Sequence, residues 1–371
     1  MSLIFRNFLV LTTIFFLSFS LFSLQALVIS VMSYNVENLF DTENDPRYFD
    51  QDFTPEGRME WTEERLQEKM KNLSEVVLSV ENSHGHPCPD ILGLSEVENR
   101  QVLERWRDEH LRACEYRTLV VHQPDPTEDR DDDPRGIRVA VMSRMTLADQ
   151  PSMMQPYRGA RYILEVPLEV QGQPLIVIKS HWRSRINGGE ERRAQYAQMI
   201  ANRLQEIHLA NPFMDVVVMG DFNDEPEDDS LLKHLQVQLD FDGRFRDSRK
   251  FFLWNSSYDL FHLPSVLERA KREGYDVDEI ERVARRIRGT FYFERDKIWN
   301  QIDHILLSRS LFEPFGFRYI PESFRVYRHP KFVNEDGSPK SFVQWNSRQQ
   351  RPEYLGGASD HFPVMLRLEL Q

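Results

Sequence analysis

The chain has 371 residues, of which 40% are hydrophobic and 28% are charged, so its composition is that of a folded globular protein and excludes a disordered chain. The formal net charge of −13 at pH 7 argues against coating of nucleic acid by bulk electrostatic attraction, although a local basic groove stays open. Cys88 and Cys114 are the only cysteines, which excludes a disulfide framework and leaves open whether the two pair.

Residues 1–26 form an apolar leader that we separate from the fold. Arg6 precedes the near-continuous apolar run FLVLTTIFFLSFSLFSL, a pattern typical of a secretory signal that is cleaved near Ala26. The run is also long enough for a membrane anchor. We therefore expect an exported protein, whether periplasmic, secreted or membrane-anchored, with membrane contact only through this leader if it is retained.

The rest of the chain, 27–371, reads as one domain because no repeat, low-complexity tract or flexible linker divides it. Thr62 is the expected N-cap of a helix over 61–80, and a second amphipathic helix is expected over 189–210. A charged segment at about 263–288 is expected to be a helical insertion on the surface. Apolar or alternating runs predict the strands at 27–33, 90–95, 138–143, 162–170, 174–180, 214–219, 301–308 and 361–370.

Polar side chains with metal-binding or catalytic potential stand at the ends of six of these strand segments. They are, in chain order, Asn35, Glu96, His181, Asp221 with Asn223, Asp303, and Asp360 with His361. Each of these residues taken alone is more often a turn, cap or solvated residue. Strand ends on one edge of a sandwich converge in space, however, so the joint pattern predicts a single site.

The chemistry of this set indicates a hard cation. Oxygen donors without cysteine suit Mg²⁺, with Mn²⁺ as a substitute, and do not suit structural zinc. Mg²⁺ takes one or two carboxylates and keeps water and substrate phosphate oxygens as its other ligands. Glu96 and Asp360 are the expected carboxylates.

The remaining members of the set are suited to catalysis. Asp221, with the amide of Asn223 beside it, can orient and deprotonate an attacking water. His361 can donate to a phosphoryl oxygen as negative charge builds up, provided that Asp303 lies close enough to hold it.

The segments that carry these residues resemble, in order, the motifs of the endonuclease/exonuclease/phosphatase superfamily. That superfamily includes the pancreatic-type deoxyribonucleases, the abasic-site endonucleases, the neutral sphingomyelinases and the inositol polyphosphate 5-phosphatases. The resemblance covers about residues 28–370 and rests on SYNVENLF, ILGLSEVEN, KSHWRSR, VVMGDFNDEP, QIDHILLS and GGASDHFPV. The segments NVENLFD and HWRSR look like those of an exported bacterial subgroup.

The resemblance implies an α/β fold: a four-layered α/β sandwich of two packed, mostly antiparallel sheets flanked by helices. It also implies Mg²⁺-dependent phosphoester hydrolysis. Carried over by motif, Asn35, Glu96 and Asp360 lie at the metal, and Glu96 is its chief ligand. The other roles implied are His181 as the histidine of the deoxyribonuclease and sphingomyelinase branches, Asp221 with Asn223 as the water-positioning base, and Asp303 as the support of His361 at the scissile phosphate. The sequence shows no carboxylate that would orient His181.

These motifs indicate the reaction type and leave the substrate open, because specificity depends on the loops around the site. Arg183 and Arg185 follow His181 and are either phosphate-binding groups or solvated rim charges. We expect a phosphodiesterase with nuclease-like activity, nucleic acid being the leading substrate, and no obligate protein partner is evident. The alternatives are a phosphomonoesterase or phospholipid phosphodiesterase, and a non-catalytic binding protein on the same fold.

Overall fold

The computed structural model describes residues 26–81, 85–125, 127, 131–186, 188–238, 251, 253–257, 271–272, 274, 276 and 289–371. The leader predicted over 1–26 and the helical insertion predicted over 263–288 lie almost wholly outside these residues. Within the described part of the chain, no helix has the length and apolarity that crossing a membrane requires.

Three longer helices are described: α1 (Glu63–Leu78), α2 (Arg100–His110) and α3 (Glu190–Ala210). The predictions of α1 and α3 are confirmed to within two residues, and Thr62 occupies the N-cap position of α1 without a capping hydrogen bond from its side chain. Helix α2 was not predicted. Shorter helical turns lie at Gln51–Phe53, Arg112–Cys114, Ser230–His234, Arg309–Phe312 and Pro330–Phe332.

Nineteen strands are assigned within the described residues. In chain order they are β1 (Val28–Leu39), β2 (Ile91–Val97), β3 (Thr118–Val121), β4 (Arg138–Ser143), β5 (Thr146–Leu147), β6 (Ser152–Met154), β7 (Ile163–Val170), β8 (Gln173–His181), β9 (Asp215–Asp221), β10 (Val237–Gln238), β11 (Leu253–Asn255), β12 (Phe291–Phe293), β13 (Ile298–Asn300), β14 (Asp303–Ser308), β15 (Phe317–Tyr319), β16 (Arg325–Val326), β17 (Val343–Asn346), β18 (Arg351–Tyr354) and β19 (Val364–Leu370).

The strands form two large sheets and two separate hairpins. The first sheet has the order β15-β19-β1-β2-β4-β3, with β16 also paired to β19. The second has the order β10-β11-β14-β9-β8-β7-β5, with β6 also paired to β7. Only β1–β2, β8–β9 and β10–β11 pair in parallel among the described strands. The expectation of mostly antiparallel sheets is therefore confirmed.

Alternating side chains bury both faces of each sheet. On β9, Val217 faces the first sheet whereas Val216 and Val218 pack with α3. On β1, Val31 faces the second sheet whereas Met32 packs with α1 and α2. Each such fully buried side chain contributes roughly 1.5–3 kcal/mol. The layers are thus α1 with α2, first sheet, second sheet and α3, which confirms the four-layered α/β sandwich.

One prediction about strand boundaries is corrected. Strand β1 was expected to run out before Asn35, but it continues to Leu39 across a register shift that follows Asn35. Glu37 and Asn38 in this shift have φ of 53° and 56°. Asn35 therefore lies at a bulge inside the strand and not at its end, and the bulge changes the direction in which the following side chains point.

The two cysteines, whose pairing the sequence left open, are joined as a disulfide between Cys88 and Cys114. The bond connects the segment before β2 to the turn that follows α2. It therefore closes a loop of chain that contains one strand of the first sheet and one helix packed on it.

Candidate active site

Three predicted site residues lie on neighbouring strands at one end of the second sheet. Strand β8 ends at His181 and β9 ends at Asp221, and the two residues are register partners. Asp221 is also the register partner of Asp303, where β14 begins. Gly220 permits this close approach, since a Cβ there would lie 1.9 Å from the carbonyl oxygen of Ser180. Backbone register alone therefore brings an imidazole and two carboxylates together.

Asn35 extends this cluster across the seam between the two sheets. Its Nδ2 donates to Asp221 Oδ2 at 3.0 Å and to Glu96 Oε1 at 3.3 Å. Its Oδ1 accepts the backbone N–H of Glu37 at 3.0 Å. Glu96, which has a φ of 66°, also accepts the backbone N–H of Asn38 at 3.0 Å. In this arrangement Asn35 acts as a donor to two carboxylates, and its role as a metal ligand stays a prediction.

His361 is held by Asp303, which is the pairing that the family resemblance implies. Its Nδ1 lies 2.8 Å from Asp303 Oδ2, and both side chains are buried. Its Nε2 lies 3.9 Å from Asp221 Oδ2 and 4.0 Å from Asp360 Oδ1. Burial opposes a charge on His361, but the carboxylates of Asp303 and Asp360 outweigh burial and raise the pKa of His361 well above its ordinary value. The carboxylates around His361 therefore favour its protonated form, and its Nε2 faces Asp221 and Asp360.

The pKa of His181 is shifted in the opposite direction to that of His361. Burial lowers the pKa of His181 well below the ordinary value, and the nearby Arg161 adds to the effect, so its surroundings favour the neutral ring. Its Nε2 lies 3.5 Å from Asp221 Oδ2 and 4.0 Å from Glu96 Oε1. Its buried Nδ1 has no hydrogen-bond partner among the described residues. Asp221 and Glu96 are thus the carboxylates nearest to His181, and neither forms a hydrogen bond that orients its ring.

Asp221 is the centre of the cluster. Asn35, His181 and His361 approach its Oδ2 with nitrogen atoms at 3.0, 3.5 and 3.9 Å. Burial and the carboxylate of Asp303 raise the pKa of Asp221 to about 7. A carboxyl group that titrates near neutral pH is suited to accept a proton from water during catalysis.

Asn223 lies directly beyond Asp221, with a φ of 54°. Its backbone N–H donates to Asp221 Oδ1 at 2.9 Å and fixes that carboxylate from the other side. Its side-chain amide donates to the carbonyl oxygen of Trp182 at 3.2 Å. The position beside Asp221 agrees with the expectation, but the contact to Asp221 is made by the backbone of Asn223.

The two arginines that follow His181 lie at the protein surface. Arg183 is exposed. Arg185 donates to the carbonyl oxygen of Asn223 at 2.8 Å and forms ion pairs with Asp224 and Asp228. A substrate phosphate would have to compete with these partners for Arg185. Phosphate binding by either arginine stays a prediction.

A buried ion pair, which the sequence analysis missed, supports the site from the first sheet. Lys69 of α1 is fully buried, and its Nζ donates to the carbonyl oxygen of Ala358 at 2.8 Å and lies 3.5 Å from Glu37 Oε2. The Glu37 carboxylate also accepts the hydroxyl of Ser341 and the backbone N–H of Phe342. Ala358 is two residues before Asp360, so the pair connects α1 to the segment that carries Asp360 and His361.

The side chains present fit a hard divalent cation. Asp303 Oδ1 is buried without a hydrogen-bond partner in the described part of the chain, and burial together with the carboxylate of Asp303 raises the pKa of Asp221. Such unneutralised oxygen donors are the ligands that Mg²⁺ prefers. Glu96 and Asp360 remain partly exposed, whereas Asp221, Asp303 and His361 offer buried ligand atoms within 4.8 Å of one another.

Comparison with solved structures finds the same fold in a TDP2 structure and weaker likenesses in two others. The humanized D. rerio TDP2 structure is 14% identical, with 92% of this chain and 98% of that chain covered and a TM-score of 0.51. The human Nocturnin catalytic domain with bound sulfate is 16% identical, with 93% and 95% covered and a TM-score of 0.48. An endonuclease/exonuclease/phosphatase family protein from Bacteroides thetaiotaomicron is 16% identical, with 94% and 99% covered and a TM-score of 0.47.

The sequence comparisons give the family. A search of curated proteins found no match. The model of the Endonuclease/Exonuclease/phosphatase family matches residues 30–260 and 265–370, which is most of the chain. The chain therefore belongs to the endonuclease/exonuclease/phosphatase family, a family of metal-dependent phosphoesterases.

Proposed function

We propose that this protein is an exported, Mg²⁺-dependent phosphodiesterase with nucleic acid as its leading substrate class. The observation that supports the proposal most strongly is the convergence of Asn35, His181 and His361 on one oxygen of Asp221. A base with a near-neutral pKa beside a charged donor is the arrangement that water attack on a phosphoester requires.

Each residue of the candidate active site has a separate role in the proposed reaction. Asp221 accepts the proton of the attacking water, while Asn35 and the backbone of Asn223 hold its carboxylate in place. His361, kept charged by Asp303, donates to the phosphoryl oxygen on which negative charge builds. A divalent cation, which we expect Glu96 and Asp360 to hold, would supply charge neutralisation at the phosphate.

Export is part of the proposal. The apolar leader of residues 1–26 has the pattern of a secretory signal or anchor. The disulfide between Cys88 and Cys114 supports the same view, because such bonds persist in oxidising compartments and are rare in the cytosol.

The test is hydrolysis of bis(p-nitrophenyl) phosphate and of p-nitrophenyl phosphate with Mg²⁺, Mn²⁺ or chelator, alongside plasmid nicking. We expect metal-dependent diester cleavage with nicking. Asp221→Asn should lower kcat by at least about 100-fold, the typical contribution of a general base, without lowering Tm. Asp215→Asn is the matched control, since Asp215 is a buried aspartate at the opposite end of the same strand.

The alternatives give different results in the same assay. Cleavage of the monoester alone would indicate a phosphomonoesterase, and diester cleavage without nicking would indicate a lipid or small-molecule diester. Full activity in the Asp221→Asn variant would contradict the assignment of the base. Absence of turnover with every metal would favour the non-catalytic binding protein.

A further inference from the structure

The β12–β13 hairpin is built onto the strand ends that carry the site. Thr290, which precedes β12, donates its backbone N–H to the carbonyl oxygen of Asn300 at 2.9 Å and accepts the backbone N–H of Phe362 at 2.8 Å. Its hydroxyl accepts the backbone N–H of Asp303 at 3.3 Å. The base of the hairpin is therefore bonded to the residues next to His361 and to Asp303 itself.

A carboxylate fixes the other side of the hairpin base. Glu225, four residues after Asp221, accepts the side-chain amide of Asn300 at 2.7 Å and the backbone N–H of Gln301 at 3.0 Å. Gly289 enters the hairpin with a φ of 100°, and a Cβ there would lie 2.3 Å from the carbonyl oxygen of Asn300. These contacts hold the hairpin in one position relative to the site.

The two faces of the hairpin differ, because successive side chains of a strand point to opposite sides. Tyr292 and Trp299 are register partners with ring centroids 5.2 Å apart, and Trp299 stacks on the buried Phe362 at 6.3 Å. This face packs against the protein. The opposite face carries Phe291 and Phe293.

The face that carries Phe291 and Phe293 extends from the candidate active site toward the tip of the hairpin. The ring of Phe291 lies 4.8 Å from the ring of His361, and the ring of Phe293 lies 6.4 Å from that of Phe291. Ile298, the register partner of Phe293, is 53% exposed. Phe291 and Phe293 are also partly exposed to water. We call Phe291, Phe293 and Ile298 the aromatic platform.

We propose that the aromatic platform binds an unpaired nucleobase next to the scissile phosphate, so that the substrate is single-stranded or locally unpaired nucleic acid. This inference rests on the proposed function and specifies its substrate. Because the ring of Phe291 lies 4.8 Å from the ring of His361, a base on the platform has its phosphate beside that histidine. Stacking of a base on an aromatic ring contributes about 1–3 kcal/mol irrespective of base identity, and the paired bases of a duplex do not offer a free face.

The charges of the protein favour this occupant over a lipid. With a net charge of −13, the chain cannot bind a polyanion by bulk attraction and needs local contacts such as stacking. The guanidinium of Arg295 lies 4.9 Å from the ring centroid of Phe293 and is also paired with Asp296. The tip between the strands consists of Glu294, Arg295, Asp296 and Lys297, and burial of four charged side chains in a bilayer is costly.

The test measures binding in the full chain carrying Asp221→Asn, so that turnover does not intervene. Fluorescence anisotropy with Mg²⁺ would compare a labelled octathymidylate with an octamer of abasic tetrahydrofuran nucleotides. We expect the octathymidylate to bind at least 10-fold more tightly. Phe293→Ala should reduce this preference to within 2-fold, and Phe293→Leu, which keeps an apolar side chain without the aromatic face, should do the same. Phe315→Ala is the matched control, since Phe315 is an exposed phenylalanine at the far end of the sandwich.

The proposal would be overturned by equal affinity for the two octamers, or by an unchanged preference in both Phe293 variants. Binding to phosphatidylcholine vesicles is measured alongside. A Phe293→Ala variant that loses vesicle binding and keeps the base preference would also overturn the proposal. Hydrolysis of the octathymidylate by the unsubstituted chain tests the proposed function separately. A base preference that depends on Phe293 without any hydrolysis would support the platform and reject the catalytic assignment.

Discussion

At the scale of single residues, burial of carboxyl groups makes the stability of the fold depend on pH. This holds for carboxyl groups outside the candidate active site as well as for those within it. Glu98 is 5% exposed and accepts the backbone N–H of Asp41 at 2.6 Å. Burial and the nearby Asp41 carboxylate raise its pKa to about 8. The unfolded chain has an ordinary glutamate pKa of about 4.3, so the folded state binds the proton more tightly. This contribution to stability is present at low pH and is lost as the pH rises through about 8.

Glu98→Gln should therefore stabilise the protein at alkaline pH, because it removes a buried charge and keeps an oxygen acceptor for the N–H of Asp41. We expect Tm to rise by at least about 2 °C at pH 9, which corresponds to roughly 1 kcal/mol in a large domain, and to change little at pH 5. Calorimetry across this pH range measures the shift. Glu104→Gln, at a more exposed position of α2, is the control and should show no such pH dependence. A shift of equal size at pH 5 and pH 9 would contradict the explanation.

At the scale of elements, the sequence of helix α1 carries a signal for the buried ion pair of Lys69 and Glu37. Its buried face runs through Leu66, Met70 and Leu73, and Lys69 lies on that same face. A lysine on the apolar stripe of a helix needs a buried partner, because an unpaired charge in the core is costly. The partner, Glu37, belongs to a bulge whose backbone direction the strand pattern does not reveal.

Lys69→Met should destabilise the fold by about 3–5 kcal/mol, since it leaves the carboxylate of Glu37 buried without its cation. It should also lower kcat, because the contact to the carbonyl oxygen of Ala358 is lost. The double variant Lys69→Met with Glu37→Gln is the matched control and should regain most of the stability. Urea unfolding of the two variants and the wild type measures both effects. A double variant no more stable than Lys69→Met would show that the pair is not the cause.

Helix α2 shows why a short element was missed. Apart from Val102, Leu103 and Trp106 its side chains are exposed or partly exposed, so its apolar stripe is narrow. The available signal was Asn99, whose side chain accepts the backbone N–H of Val102 as an N-cap. The long apolar strands other than β1 were, in contrast, predicted to within three residues at each end, because burial on both faces requires continuous apolar runs.

At the scale of the whole molecule, the contacts that make the site join residues far apart in the chain. Asn35 and Asp221 are 186 residues apart, and Asp303 and His361 are 58 apart. Apolar periodicity predicts each strand but not its register against a neighbour, so it identified the residues, whereas the Asp303–His361 contact was expected from the family resemblance. The rotation of the Asn35 amide toward two carboxylates also depends on the bulge in β1, which is a tertiary feature.

The disulfide contributes to global stability by restricting the unfolded chain. Cys88 and Cys114 are separated by 26 residues, for which the chain-entropy relation gives about 3.5 kcal/mol. We expect the double variant Cys88→Ser with Cys114→Ser to unfold at a Tm several degrees lower. Dithiothreitol should lower the Tm of the wild type toward the same value and leave the variant unchanged, which calorimetry can check. A wild type that is insensitive to reductant, with a Tm equal to that of the variant, would contradict this contribution.

The point at which the chain enters the sandwich has a consequence for where substrates come from. Strand β1 begins at Val28, at the end of the sheets opposite the site, and reaches Asn35 seven residues later. At about 3.3 Å per residue, this is roughly 23 Å of strand. A substrate of the site is therefore expected to approach from the end of the sandwich that is opposite the entry of the chain.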